Sequence, residues 1–352
     1  MSRHPPALAG DYRDAARDWV VRDLGNTPGV IGAFSHGSIN WLADSQPVPL
    51  HSDLDIIVVH EAPLPALRQG KFRHGGVLLD VSLLAAEHVQ TPEQILGVSH
   101  LAGSINAATV LLDPTGHLAA TQRAVQARFA NPVWVLRRCD HAATKILTFL
   151  GDISFADPFH VQVTSWLFAT GVTTHVLLCA GLQNPTVRKR YVASRHLLAD
   201  YGLSAFQEEL LGLLGSRELD REQVQRHLDN LTQLFDVAIS VPDPPFFFAS
   251  DISDIARGIA IDGTQEMIDK GYHREAMFWI VATAARCQKI LRHAKRDELL
   301  EHDATFREML TDLGIRSTHD LFLRADETRA FLPKLWQIAN TILEASPAID
   351  ET

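Results

Sequence analysis

Asp53, Asp55 and Asp80 are the residues of this sequence best placed to do chemistry. Asp53 and Asp55 form an Asp-x-Asp pair at the head of the β-branched run 53–59, and Asp80 interrupts a second apolar run, 76–84. Side chains alternate along a strand, so aspartates two residues apart point the same way. Carboxylates crowded together repel, and burying them unpaired is costly. A divalent cation removes that cost, and Mg²⁺ prefers a few carboxylates together with phosphate oxygens. Two such ions about 3.5–4 Å apart can clamp the attacking and leaving oxygens of an in-line displacement. The expected metal ligands are therefore Asp53, Asp55 and Asp80, and the expected cofactor is a pair of Mg²⁺ ions.

The second chemical element is a turn. Residues 30–34 read as a short buried strand, Gly37 and Ser38 follow it, and 38–43 reads as a helical turn. Gly37 lets the backbone approach a ligand closely. Amides of the turn and the Ser38 hydroxyl would meet the phosphates of a nucleotide. The same chain holds a control: Gly103 and Ser104 lie in Ala-Gly-Ser-Ile-Asn, nearly repeating His-Gly-Ser-Ile-Asn at 36–40, with no Asp-x-Asp strand after them. A Gly-Ser pair alone thus signifies nothing, and the full constellation carries the reading.

Together, Gly37-Ser38, Asp53-x-Asp55 and Asp80 resemble the signature of the polymerase-beta-like nucleotidyltransferase superfamily. The layout, a small catalytic domain before a larger helical one, is similar to antibiotic nucleotidyltransferases that adenylylate aminoglycosides and lincosamides. Fourteen residues (positions 39 to 52) separate Ser38 from Asp53, more than is usual in that superfamily, and the polar loop 44–51 supplies the extra length. The resemblance implies an NTP donor, ATP in the first instance, and Mg²⁺. It also implies attack of an acceptor hydroxyl on the α-phosphorus, with pyrophosphate leaving. Asp80 either completes the metal site or takes the acceptor proton. The first acceptor expected is a small hydroxylated molecule, with a partner protein nucleotidylated on Tyr, Ser or Thr as the alternative. From a different class comes a nucleotide-binding regulator without turnover.

Plainer roles compete at each position. Asp53 could cap a turn, Asp55 could serve in a salt bridge, and Asp80 could pair with Arg73. His36 and His51 flank the motifs and read as hydrogen-bonding neighbours. Farther on, Arg188, Lys189, Arg190 and Arg195 crowd one segment, and a helix from 187 would set Arg188 and Arg195 on one face. Arg188 and Arg190 are candidates to hold a triphosphate, a solvated basic face being the plain alternative. Lys145 sits beside an apolar stripe (Cys139, Ala142, Ile146, Phe149). It either reaches phosphates, as lysines of similar enzymes do, or snorkels. The run 244–251, with Phe246, Phe247 and Phe248, reads as a hydrophobic turn packing into the core, the lining of an acceptor pocket being the alternative.

Composition narrows the class. The 352 residues suffice for two domains. A net charge of −10, from 42 acids against 32 bases, advertises no nucleic-acid surface. Cys139, Cys179 and Cys287 form no Cys-x-x-Cys pair, which points to a reducing cytoplasm without structural zinc. Met1–Pro6 holds no apolar signal core. Residues 161–182 imitate a membrane span but carry too many polar groups, so a buried core helix with Gly171 at a tight contact is expected, and no membrane partner. Periodicity predicts a leading amphipathic helix over 10–24 and strands over 30–34, 53–59, 71–72, 77–84 and 109–112. Beyond Asn131 and Pro132 nearly everything reads helical. The expected fold is α/β (α+β): a mixed-sheet catalytic domain at 1–130 and an α-helical, acceptor-binding domain at 131–352. A cleft between them is the natural substrate site.

Overall fold

Helix α1 (Ala9–Trp19) buries Ala9, Tyr12, Ala16 and Trp19, a spacing of three and four that gives it one apolar face. That face meets the sheet residues Leu54, Ile56, Val58, Phe72, Leu79 and Val81. The strands are β1 (Val30–His36), β2 (Leu54–His60), β3 (Gly70–His74), β4 (Val77–Ala85) and β5 (Thr109–Leu112). They form one sheet in the order β3-β4-β2-β1-β5. β2 and β4 run parallel, and every other neighbouring pair is antiparallel. Alternation along β2 sends Leu54, Ile56 and Val58 toward α1 and Asp55 to the opposite face. Three short helices, α2 (Pro92–Leu96), α3 (Ser99–Asn106) and α4 (His117–Gln126), complete this part, and α5 (Pro132–Gly151) follows.

In this computed structural model, which describes residues 7–61, 69–295 and 299–349, the chain is 62% helical. Met1–Pro6 lie outside the described residues. Two units separate, one with residues up to Arg138 and one from Cys139 to Ile349, so the division falls inside α5 and not at its opening Asn131-Pro132. The fold is the expected one: a small mixed-sheet domain followed by a helical bundle.

The helical unit contains α6 (Phe159–Ala180), α7 (Arg190–Asp200), α8 (Ala205–Leu214), α9 (Arg221–Ala238), α10 (Gly263–Asp269), α11 (His273–His293), α12 (Leu299–Asp312) and α13 (Thr318–Ala345). α6 packs against α7, α8, α11 and α13, and α11 against α9, α10 and α12. Among the described residues α6 is the one helix long and apolar enough to cross a membrane, yet 78% of its apolar window is buried inside the protein. A Cβ on Gly171 would stand 2.5 Å from Phe278 Cε2, so the tight contact expected there is present. In the 244–251 run Phe248 is buried, whereas Phe247 is 96% exposed, so only part of that turn packs inward.

Candidate active site

Backbone register assembles the site. Lys71 on β3 lies opposite Asp80 on β4, Asp80 beside Asp55 on β2, and Asp55 opposite His36 on β1. Directly paired residues of neighbouring strands share a face, so these four side chains form a row across the sheet. Asp53 stands just before β2 rather than within it. Its carboxylate nevertheless joins the group: one oxygen each from Asp53, Asp55 and Asp80 lies within 4.8 Å of the others.

The cluster holds a cation of the protein's own. Lys71 Nζ is 3.0 Å from Asp53 Oδ2 and contacts Asp80 Oδ2 as well. Its side chain is only 7% exposed, against 19% for Asp53 and 20% for Asp80. The basic neighbour of Asp80 is therefore Lys71 and not Arg73, which is exposed and lies in register with Leu78.

The glycine–serine turn sits on the same group of acids. Gly37 has φ 84° and ψ −168°, a region open to glycine almost alone. A Cβ at this position would fall 2.2 Å from Asp55 Oδ2. The carboxylate thus occupies the space that a side chain at 37 would take. Ser38 follows, exposed, at the start of a single 3₁₀ turn, Ser38–Trp41. Asn40 closes the turn: its amide donates to the Ser35 carbonyl at 2.7 Å, and its oxygen accepts from the buried Ser35 hydroxyl at 2.8 Å. Arg13 of α1 donates to the carbonyls of Ile39 and Leu42 at 2.9 and 2.7 Å. The extra loop after this turn folds back onto the start of α1, with Ala9 N–H donating to Gln46 and Val48 N–H to Ala7. The near-repeat of the turn sequence behaves otherwise, because Gly103 and Ser104 lie inside helix α3.

Electrostatics at the rim follow from burial. Burial pushes the His36 imidazole down to about 4 against the pull of Asp53, so it is neutral at pH 7. Tyr12 is raised by burial and then by the charge of Asp53.

The remaining predicted residues belong to the helical unit. Lys145 is half-buried on α5, and burial lowers its pKa. Arg188 precedes α7 instead of lying on it, which removes the shared helical face with Arg195; its guanidinium donates to the Ile259 carbonyl at 2.6 Å. Arg195 pairs with the buried Glu275 at 2.9 Å. Arg190 is 2% exposed, donates to the Val187 carbonyl and lies 4.0 Å above the Phe278 ring. Burial lowers its pKa to about 9. The structure thus places Arg190 in the packed interior of its unit, not on a solvated basic face.

Sequence reading missed Lys71, Asn40 and Arg13. For Lys71 a signal exists: Gly75-Gly76 reads as a two-residue hairpin turn. Pairing His74 with Val77 across it sets Lys71 opposite Asp80. Asn40 and Arg13 act through the tertiary path of the turn and leave no such mark. No protein-family model matches this chain, and no curated protein matches it.

Proposed function

We propose that this protein is a Mg²⁺-dependent nucleotidyltransferase. It moves a nucleoside monophosphate, AMP in the first instance, from an NTP to a hydroxyl of a small acceptor and releases pyrophosphate. One observation carries the reading: the Asp55 carboxylate is seated against Gly37 of the Gly-Ser turn, with Asp53 and Asp80 gathered beside it. Acids and a Gly-Ser turn in direct apposition support the resemblance of the motifs to the polymerase-beta-like superfamily.

The residues fit a divalent ion, since three carboxylate oxygens converge and already accommodate the ammonium of Lys71. Asp53, Asp55 and Asp80 would hold it. Bound there, Mg²⁺ offsets the negative charge of carboxylates and phosphates that would otherwise repel. Gly37 admits the Asp55 carboxylate against the backbone, and the exposed Ser38 offers its hydroxyl to a phosphate. The acceptor oxygen forms a bond to the α-phosphorus as the bond from that phosphorus to the bridging oxygen breaks. The electron pair leaves with pyrophosphate, and the acceptor proton passes to a carboxylate of the cluster. Rate enhancement then comes from positioning and charge compensation. Arg190 is assigned to bracing its own unit. An overall charge of −10 favours a cationic acceptor. Three free, buried cysteines agree with work in a reducing cytoplasm.

Lys71 within the acid cluster favours a second reading, a nucleotide-binding regulator without turnover. Pyrophosphate release separates the two. Each of the four NTPs is incubated with Mg²⁺ and a panel of hydroxylated cationic molecules, using wild type and Asp53→Asn. The transferase reading expects acceptor-dependent release from wild type only. Binding of an NTP without release across the panel would support the regulator instead.

A further inference from the structure

Resting on the nucleotidyltransferase reading, we infer that Lys71 is a built-in cation that takes the place of one metal ion, so that the site works with a single divalent ion. Lysine on an edge strand ordinarily points to solvent, where it discourages strand pairing. Lys71 instead turns onto the sheet face and is 7% exposed. Its strand is fixed by a ladder from Gly70↔Val81 to His74↔Val77, so the ammonium is delivered by backbone register rather than by a loose side chain. It contacts one oxygen of Asp53 and one of Asp80, so an ion bridging those two residues would compete with it for the same carboxylates.

Two cations cannot share those oxygens at close range without strong repulsion. Withdrawing the ammonium would strip an almost buried charge of its partners, which is unfavourable. Those two oxygens therefore belong to Lys71, and a single divalent ion draws on Asp55 together with the other oxygens of Asp53 and Asp80. The Asp55 carboxylate lies against Gly37 and the turn offered to the nucleotide phosphates. An ammonium has three N–H donors and a compact charge. It compensates carboxylates and developing negative charge at a fixed position, without the entropy of recruiting a second ion. The pair of ions expected from the three acids alone thereby becomes one ion and one lysine.

The test counts ions directly. Mn²⁺ bound per chain is measured by equilibrium dialysis and electron paramagnetic resonance, with saturating α,β-methylene ATP as the nucleotide. Wild type is compared with Lys71→Met, which keeps the apolar stem, and a thermal melt checks that the variant folds. The expected result is one Mn²⁺ in wild type and two in Lys71→Met. Two ions in wild type, a count independent of any variant, would overturn the inference while leaving the transferase reading intact. One ion in folded Lys71→Met would overturn it too. Nucleotide bound by wild type with no ion at all would sink the metal-dependent reading itself, and this inference with it.

Discussion

Replacing Gly37 with alanine separates backbone strain from damage to the acid cluster. The residue sits at φ 84° and ψ −168°, and holding alanine there costs about 1–3 kcal/mol. The added Cβ would lie 2.2 Å from Asp55 Oδ2, where ordinary contact is 3.4–4 Å. The carboxylate must then retreat by roughly 1 Å or more, a displacement that typically costs about 100-fold in rate, or ~2.7 kcal/mol. Gly271→Ala is the matched control: φ is 83°, but nothing lies within 4 Å of its Cβ. That variant loses about 1–2 kcal/mol of stability and keeps its rate. The assays are urea unfolding and initial rates of pyrophosphate release at saturating NTP. Gly37→Ala is expected to fold and to turn over about 100-fold more slowly. Wild-type turnover in Gly37→Ala, or an equal rate loss in Gly271→Ala, would refute the argument that the Asp55 seat requires a bare Cα.

Asp53→Asn should abolish transfer yet shift stability by no more than about 1 kcal/mol, because the partly exposed carboxylate leaves Lys71 still paired with Asp80; activity and melting curves on the same preparation check this. Asn40→Ala removes both clamps on Ser35, and we expect a loss of about 1–3 kcal/mol in urea unfolding with a lower kcat/KM as the turn loosens. Stability should also fall on mild acidification. Burial, with Arg292 and Lys289 nearby, pushes His160 from 6.5 down to about 4. Between those values the unfolded chain takes up the proton and the native chain resists it, so stability is unaffected above pH 6.5 and is lost as pH falls toward 4. The loss by pH 4.5 is about 2–3 kcal/mol. Urea unfolding at pH 7.5 and 4.5 should show it, and His160→Leu should reduce the difference while the similar share of His36 remains; an unchanged pH slope in that variant would reject His160 as a source.

Strand existence and the three acids were legible because each rests on short-range pattern. Alternation placed β2 and β4, and the apolar run 161–182 placed α6 within two residues of its observed limits. Boundaries slipped where a local rule was overridden. Asp53 reads as the first residue of a strand but precedes it, and 187–189 read as helix but lie before α7. The two Gly-Ser-Ile-Asn segments show the limit most clearly: one is a turn with a left-handed glycine, the other helix α3. What distinguishes them is tertiary, since Asn40 and Arg13 lock the first in place while the second is continued by helical neighbours. Lys71 was hidden for a different reason. Its contact depends on the hairpin register through Gly75-Gly76, which must be carried across two strands before the lysine meets an acid. Arg190 shows the reverse error, since a charged residue in a basic run lies buried against aromatic rings.

The most direct test of the central claim is the melting temperature with each of the four NTPs, with and without Mg²⁺, for wild type and Asp53→Asn/Asp55→Asn. A ligand that binds only the folded state at 100 times its Kd stabilises it by about 2.7 kcal/mol. The account predicts a Mg²⁺-dependent rise with at least one NTP that disappears in the double variant. An equal rise in the double variant, or no rise with any NTP, would contradict a metal–nucleotide site at Asp53, Asp55 and Asp80.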